Sequence, residues 1–184
     1  PELGSWVFLG EILTDIELEP DTPIDSKCDS CGRCVKACPT GALMAPFQIN
    51  PHKCLSYITQ MRGSIPEEFR RPLGNRIFGC DTCQEACPHN KNVKIPDHIE
   101  FKPEFPLETN LEKLAKLSKR DFNKVFKVTA AGWRGRNVIR RNAVCALGNM
   151  RDVKYKKLLE ILTDDPSEIV SKQALWSLKN LTSV

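Results

Sequence analysis

The sequence lacks a long apolar run, and it does not start like a secreted protein. No stretch approaches the roughly 18 consecutive apolar residues that a membrane-spanning helix needs. The first residues, Pro1 to Trp6, have neither the basic region nor the small-residue cleavage site of a signal peptide. We therefore expect no membrane-spanning segment. Because Pro1 is not an initiator, we also expect the 184-residue chain to begin inside a larger protein.

Acidic side chains are nearly missing from one part of the chain. Between residues 113 and 141, ten bases face a single acid, Asp121. By contrast, residues 1–27 have seven acids and one base, and residues 28–100 have nine bases and seven acids. The formal net charge of +4 therefore conceals an acidic start and a basic end. A solvated helix face usually mixes both signs, so this one-sign block favours an anionic partner over an ordinary basic face.

The sequence is rich in cysteine, with nine residues. Cys28, Cys31, Cys34 and Cys38-Pro39 have the spacing of bacterial two-cluster ferredoxins, in which three thiolates bind one 4Fe–4S cluster and the fourth binds the other. A second set, Cys80, Cys83 and Cys87-Pro88, lacks one middle cysteine, and Cys54 is the nearby candidate to replace it. The spacing predicts two clusters, one bound by Cys28, Cys31, Cys34 and Cys87, the other by Cys38, Cys54, Cys80 and Cys83.

Two other uses of these cysteines are weaker. Zinc sites use Cys-x2-Cys pairs but do not require this spacing, and disulfides would suit an oxidising compartment. The ninth cysteine, Cys145, lies on the apolar face of a helical pattern and is predicted to pack in a core. Since eight thiolates suffice for two clusters, His52, His89 and His98 are expected in loops or at the surface.

The pattern of the chain predicts an α+β protein with two domains. Residues 20–27 are rich in turn residues and mark a linker, and Pro96, Pro103 and Pro106 suggest a second connector. The sequence thus predicts a ferredoxin-like domain over 21–100 and an all-α domain over 107–184. In the second domain, residues 138–149 align with residues 169–180 at a period of 31, with apolar residues at helical spacing in both. This segment resembles short HEAT-like repeats.

Three segments resemble the epoxyqueuosine reductase family: residues 5–11, 28–42 and 76–90, together with the run from Cys54 to Pro66. The resemblance implies an enzyme that reduces the epoxide of epoxyqueuosine to the alkene of queuosine at the tRNA wobble position, with cobalamin and two 4Fe–4S clusters. It implies that residues 1–20 are the end of an upstream α/β cobalamin-binding domain. The catalytic acid would precede Pro1, so no catalytic residue is expected in this chain.

The resemblance also suggests binding residues. The corrin would contact polar groups around a helix at 54–62 and in the Cys80–Cys83 loop, namely Ser56, Thr59, Arg62, Asp81 and Thr82. For each of these, a helix cap or an ordinary surface position is an equal alternative. The anticodon stem-loop of tRNA would bind the basic face, namely Arg120, Trp133, Arg134, Arg136, Asn137, Arg140 and Arg141, extended by Lys116, Lys119, Lys124 and Lys127.

Two other functions compete with this one. An electron-transfer subunit could use the same clusters, but a separate carrier would not start in the middle of a fold. A relative of corrinoid reductive dehalogenases would also use cobalamin and two clusters, but a small substrate needs no basic helical surface. We expect a cytoplasmic monomer that an external one-electron donor, such as a flavodoxin or a ferredoxin, supplies with electrons.

Overall fold

The structure is a computed structural model that describes residues 3–94, 97, 98, 100 and 110–182. The predicted connector at Pro96, Pro103 and Pro106 lies outside the described residues, as does the predicted start of the helical domain at Leu107. Within the described part of the chain, no helix is long and apolar enough to cross a membrane.

The cysteine-rich half is built from short elements. Residues 3–32 contain no helix or strand. The elements that follow are α1 (Arg33–Ala37), β1 (Leu43–Ala45), β2 (Gln48–Ile49), α2 (Leu55–Gln60), α3 (Glu67–Leu73) and α4 (Thr82–Glu85), with 3₁₀ turns at Pro51–Lys53 and Pro88–Asn90. The strands β1 and β2 form an antiparallel pair in which Leu43 lies opposite Ile49. Helix α1 packs against α4 and β1, which brings the two cysteine motifs together.

The second half is helical, as predicted. Its helices are α5 (Leu111–Ala115), α6 (Lys119–Asp121), α7 (Arg136–Met150), α8 (Lys156–Leu162) and α9 (Glu168–Thr182), with a π-helical turn at Phe122–Phe126 and 3₁₀ turns at Ala130–Gly132 and Val153–Tyr155. Polar side chains cap the N-termini of two of these helices. The Asn110 side chain accepts hydrogen bonds from the first N–H groups of α5, and Ser118 accepts one from the Asp121 N–H at α6.

The two copies of the predicted repeat form α7 and α9, two 15-residue helices that pack against each other. Most of their predicted apolar positions are buried, among them Ile139, Ala143, Val170 and Ala174, while Leu178 is partly buried. The two helices approach closely at Gly148, where a Cβ atom would lie 2.5 Å from the Ser177 hydroxyl. The helical repeat is therefore present, and its assignment to the HEAT-like class stays a prediction.

A shared core joins the two halves. Leu55, Ile58, Ile65 and Leu73 from the cysteine-rich half pack with Cys145 of α7. Cys145 is fully buried, and burial raises its pKa to about 12, so its predicted role in core packing is confirmed. Helices α2 and α3 pack directly on α7, so α7 contacts the helix that Cys54 caps.

Candidate functional site

Four cysteines surround one cavity, which we call the thiol cavity: Cys38, Cys54, Cys80 and Cys83. They come from three local features. Cys38 ends α1, Cys54 is the N-terminal cap of α2, and Cys80 and Cys83 flank the start of α4. Apolar side chains, including Leu43, Ile49 and Leu55, complete the walls. These are the four thiols that the spacing predicts for one cluster.

The electrostatics of the thiol cavity differ from one sulfur to the next. Burial raises the pKa of Cys83, and the neighbouring Cys80 and Cys54 thiols raise it further. Partial burial alone would raise the pKa of Cys38. The N–H groups of the following loop donate to its sulfur, however, and together they lower the pKa below its ordinary value. One of these donors is the Ala42 N–H, at 3.2 Å from the Cys38 sulfur. Donors of this kind stabilise a thiolate, the form that binds iron.

The other four cysteines lie in the loop before α1, in α1 and just after α4, and α1 packs against α4. Cys28 and Cys31 are exposed, whereas Cys34 in α1 and Cys87 directly after α4 are half-buried. Hydrogen bonds from Cys31 lower the pKa of Asp29, and the charge of His89 contributes to the shift, so the first cysteine loop lies near the end of the second motif. Each of the nine cysteines is a free thiol.

A single metal ion does not fit either set. Among the described residues, no group of three or more His, Cys, Asp or Glu side chains is close enough to bind one ion. A 4Fe–4S cubane binds its thiolates at four separate iron atoms, so its ligands stand farther apart than the ligands of one ion. The thiol cavity has four cysteines in its wall, which is the number of thiolates that one cubane binds.

The structure separates the five residues predicted to contact a corrin. Thr59 is buried, and its hydroxyl donates to the Ser56 carbonyl while accepting the Gly79 N–H. The prediction that Thr59 contacts the cofactor is therefore wrong, because the hydroxyl is already used to hold the loop before Cys80. Asp81 is exposed and Thr82 is half-buried beside the thiol cavity.

The remaining two predicted corrin contacts lie elsewhere. Ser56 is half-buried and within hydrogen-bond distance of the Gln60 amide. Arg62 is exposed and lines a different cavity from Asp81. Of the five residues, Asp81 and Thr82 line one cavity together with Cys80, and Arg62 lines another.

Two arginines predicted at the basic surface are instead buried. Arg140 is 6% exposed, forms an ion pair with Asp165 and donates to the Ala115 carbonyl. Arg141 is 0% exposed, and burial lowers its pKa to about 10, so it stays protonated at neutral pH. The prediction that Arg140 and Arg141 contact tRNA is therefore wrong, since neither guanidinium reaches the surface.

Arg141 instead binds the carboxyl end of α2. Its guanidinium donates to the carbonyls of Ile58, Thr59, Met61 and Gly63, which have no partners within the helix. The next residue, Asn142, donates to the carbonyls of Thr59 and Ile77, both at 2.7 Å. Helix α7 thus holds α2, which Cys54 caps, and the loop that leads to Cys80.

Three of the other predicted tRNA contacts, Arg134, Arg136 and Asn137, line a common cavity, which we call the arginine cavity. It is lined by Arg62, Gly63, Arg134, Gly135, Arg136, Asn137, Val138 and Ile169, at the N-terminus of α7. Trp133 is 58% exposed, and the Arg134 guanidinium stacks on it at 3.6 Å from the ring centroid. The Trp133 indole N–H donates to the Gln60 side chain, which fixes the pair against α2. Arg120 is exposed in α6, as predicted.

Comparisons with known proteins agree with this geometry. Residues 27–90 match the family model of the 4Fe-4S double cluster binding domain. An epoxyqueuosine reductase of Bacillus subtilis is 42% identical over 180 residues, which are 97% of this chain and 47% of that protein. One of Listeria monocytogenes is 42% identical over 183 residues, which are 98% of this chain and 48% of that protein. The chain belongs to the epoxyqueuosine reductase family.

The solved structures of epoxyqueuosine reductases give the same result. A crystal structure of an epoxyqueuosine reductase with a tRNA-Tyr epoxyqueuosine-modified stem loop superposes with a TM-score of 0.83 at 40% identity. The match covers 90% of this chain and 44% of that chain. The chain therefore spans about half the length of the epoxyqueuosine reductases that it matches.

Some important residues of this member of the epoxyqueuosine reductase family were not found from the sequence. Asn90 is buried, accepts the Ser5 N–H and donates to the Ser5 hydroxyl, so it holds the start of the described chain against the second cysteine motif. Arg76 donates to Thr82 beside the thiol cavity. Both residues lie next to the quoted cysteine segments, but their partners depend on how those segments fold together.

Proposed function

We propose that this chain is the electron-delivering and tRNA-docking part of an epoxyqueuosine reductase. The observation that supports this most strongly is the 40% identity and TM-score of 0.83 with a reductase solved together with an epoxyqueuosine-modified stem loop. The reaction removes the epoxide oxygen of epoxyqueuosine. Two electrons and two protons convert the epoxide to an alkene and one molecule of water.

The eight cysteines before residue 90 bind the two clusters. The thiol cavity supports the set of Cys38, Cys54, Cys80 and Cys83, which we call cluster 2. The packing of α1 on α4 supports the set of Cys28, Cys31, Cys34 and Cys87, which we call cluster 1. The exposure of Cys28 and Cys31 supports a role for cluster 1 as the entry point for electrons from an external one-electron donor, such as a flavodoxin or a ferredoxin. Cluster 2, with half-buried ligands, then passes single electrons inward.

Cobalamin, when bound, supplies an electron-rich cobalt centre suited to the two-electron reduction of an epoxide. The part of its site in this chain would lie at Asp81 and Thr82, with Ser56 and Arg62 farther away. Residues 1–20 would belong to the cobalamin-binding domain. The almost complete exposure of Phe8, Leu9 and Leu13, each above 90%, supports this, because a folded domain would cover such side chains.

The tRNA would bind at the arginine cavity and the adjoining bases. Arg62, Arg134 and Arg136 meet there at the start of α7, where free N–H groups favour phosphate. Trp133 is largely exposed, so a base can stack on the part of its ring that Arg134 does not cover. The exposed bases that extend this face are Lys116, Lys119, Arg120, Lys124 and Lys127. We assign this face to a HEAT-like domain over 107–184 that follows the cluster domain over 21–100, in a cytoplasmic monomer.

The test of the reaction uses protein expressed from the full open reading frame that contains this chain. The protein, with reconstituted clusters, cobalamin and a reductant, is incubated without oxygen with tRNA that contains epoxyqueuosine. Nucleoside mass spectrometry should show the loss of one oxygen atom from the modified base. If both clusters and cobalamin are bound and no queuosine forms, the proposed function is refuted.

The test of the tRNA face uses charge reversal. Arg134→Glu with Arg136→Glu should weaken tRNA binding at least tenfold at moderate salt and flatten its salt dependence, because each lost phosphate contact lowers the slope by about 0.7–0.9. Reversal of Lys156 and Lys157, two exposed bases on α8, gives the same change in net charge outside the arginine cavity. Equal effects of the two double variants would show that only net charge matters and would refute the assigned face.

A further inference from the structure

Arg76, Thr82 and Cys80 lie in a row beside the thiol cavity. An Nη2 hydrogen of Arg76 points at the Thr82 hydroxyl, with 2.7 Å between the two heavy atoms. The same hydroxyl lies 3.5 Å from the Cys80 sulfur. All three residues are half-buried, so bulk water competes only partly for these groups.

The direction of both hydrogen bonds follows from the donors available. A guanidinium has no lone pair to offer, so Arg76 donates and the Thr82 oxygen accepts. The one hydroxyl proton of Thr82 then remains free for another acceptor. In the free protein, the Cys80 thiol donates to the Thr82 hydroxyl. A cysteine that ligates iron has lost its proton and can only accept, so with a cluster bound the Thr82 hydroxyl would become the donor to the Cys80 sulfur.

Arg76 is itself held in place. Its other terminal nitrogen, Nη1, donates to the Leu73 carbonyl at 3.1 Å and the Pro72 carbonyl at 3.4 Å, at the carboxyl end of α3. A cation is favoured at this end of a helix. The guanidinium therefore has one side bound to α3 and the other aimed at Thr82. Its positive charge polarises the Thr82 hydroxyl and strengthens the bond to sulfur.

We propose that Arg76 and Thr82 form a hydrogen-bonded bridge to the Cys80 sulfur that raises the reduction potential of cluster 2. The proposal rests on the ligand set proposed above. Reduction takes the cluster from the 2+ to the 1+ state with one electron and no proton transfer. The added negative charge is shared with the ligating sulfurs, so a donor to Cys80 stabilises the reduced state. A higher potential at cluster 2 directs electrons from cluster 1 towards it.

Thr82→Val removes the hydroxyl while keeping the shape of the side chain. We expect it to make reduction of cluster 2 about tenfold less favourable, a fall of about 59 mV for a one-electron couple. The measurement is a redox titration of the full-length protein followed by electron paramagnetic resonance, which reports each reduced cluster. Thr82→Ser keeps a hydroxyl and should restore the wild-type potential.

Thr40 provides a matched control. Its hydroxyl lies 3.8 Å from the Cys38 sulfur, but its proton is used by the Lys53 carbonyl at 2.7 Å. Thr40→Val therefore removes a hydroxyl from the wall of the thiol cavity without removing a donor to sulfur. The potential of cluster 2 should stay unchanged in this variant. An equal fall in Thr40→Val and Thr82→Val would overturn the proposal.

Arg76→Met tests the first link of the bridge. We expect a smaller fall, about threefold or about 28 mV, because Thr82 keeps its hydroxyl but loses the polarising charge. In the Thr82→Val background, the same change should add little, since Arg76 acts through Thr82. Fully additive shifts would show that Arg76 acts only by its charge and would refute the bridge.

Iron and sulfide analysis distinguishes a failure of the proposed function from a failure of the hydrogen-bonded bridge. A wild-type protein that does not assemble two clusters contradicts the proposed function. Two clusters with an unchanged potential in Thr82→Val contradict only the bridge. If Thr82→Val does not assemble cluster 2, Arg76→Met decides alone, and an unchanged potential there refutes the proposal.

Discussion

Arg141 offers a direct test of how helix α7 supports the helix that Cys54 caps. The guanidinium is fully buried in α7 and donates to four carbonyls at the end of α2, two of which belong to Met61 and Gly63. Arg141→Met keeps the length of the side chain and removes every donor. The carbonyls of Ile58, Met61 and Gly63 then lose this donor, while the Thr59 carbonyl keeps Asn142. The helix should therefore open from its carboxyl end towards Cys54.

The magnitude follows from the hydrogen bonds. A bond from a charged donor contributes about 1.5–3 kcal/mol, and a buried group left without a partner costs about 1–3 kcal/mol. Two opposing effects reduce the sum: water can reach Gly63, which is exposed, and the variant no longer buries a charge. We expect local opening of α2 to become easier by about 3 kcal/mol. This is about a hundredfold in the opening equilibrium, because about 1.4 kcal/mol corresponds to tenfold.

Native-state hydrogen exchange of the cluster-loaded protein measures this opening directly. Amides of residues 55–63 should exchange about a hundredfold faster in Arg141→Met, while those of α8 change little. Arg141→Lys keeps the charge but loses the planar fork, so its effect should be intermediate. Arg120→Met, at an exposed arginine, is the control and should change exchange less than threefold.

Two results would refute the reasoning about Arg141. Unchanged exchange over residues 55–63 would show that the guanidinium does not stabilise α2. A uniform increase along the whole chain would show a general loss of stability rather than the loss of a helix cap. In either case, the idea that α7 holds the Cys54 helix in place through this arginine would be abandoned.

Three further predictions concern packing, ligation and charge. Gly148→Ala should lower the unfolding free energy by about 1–2 kcal/mol, which a lower thermal midpoint would show. The new Cβ would lie 2.7 Å from the Ser177 Cα, and this overpacking outweighs the better helix propensity of alanine. A raised midpoint would contradict the close approach of α7 and α9. Cys145→Ala should keep the full iron content, whereas alanine at any of the eight proposed ligands should lower it; iron analysis decides. Asp165→Asn should destabilise the protein by about 3 kcal/mol in the same thermal assay, because it leaves the buried Arg140 without its carboxylate. The control, Asp164→Asn at an exposed aspartate, should change stability by less than about 0.5 kcal/mol. Equal effects at the two aspartates would refute the buried pair.

Sequence patterns predicted those features that depend on neighbours a few residues apart. The 31-residue repeat predicted α7 and α9 because a buried helix face needs apolar residues at helical spacing. The argument from the block of basic residues, by contrast, failed for Arg140 and Arg141. A block of bases predicts an exposed face only while no acceptor lies within reach, and the acceptors for Arg141 are about 80 residues away in the chain.

By itself, the sequence determined the chemistry of the clusters and the helical character of the second half. Ligand spacing within a motif is local, because Cys-x2-Cys places two sulfurs on one turn whatever the rest of the fold does. Only the tertiary structure decided which groups are free to act. It brings Cys54 to the thiol cavity, buries Arg141 under α2 and leaves Arg134 and Arg136 at the arginine cavity. The physical reason is that burial and hydrogen-bond satisfaction depend on contacts between distant segments, and a charge in the sequence does not reveal whether a carbonyl from another helix will accept it.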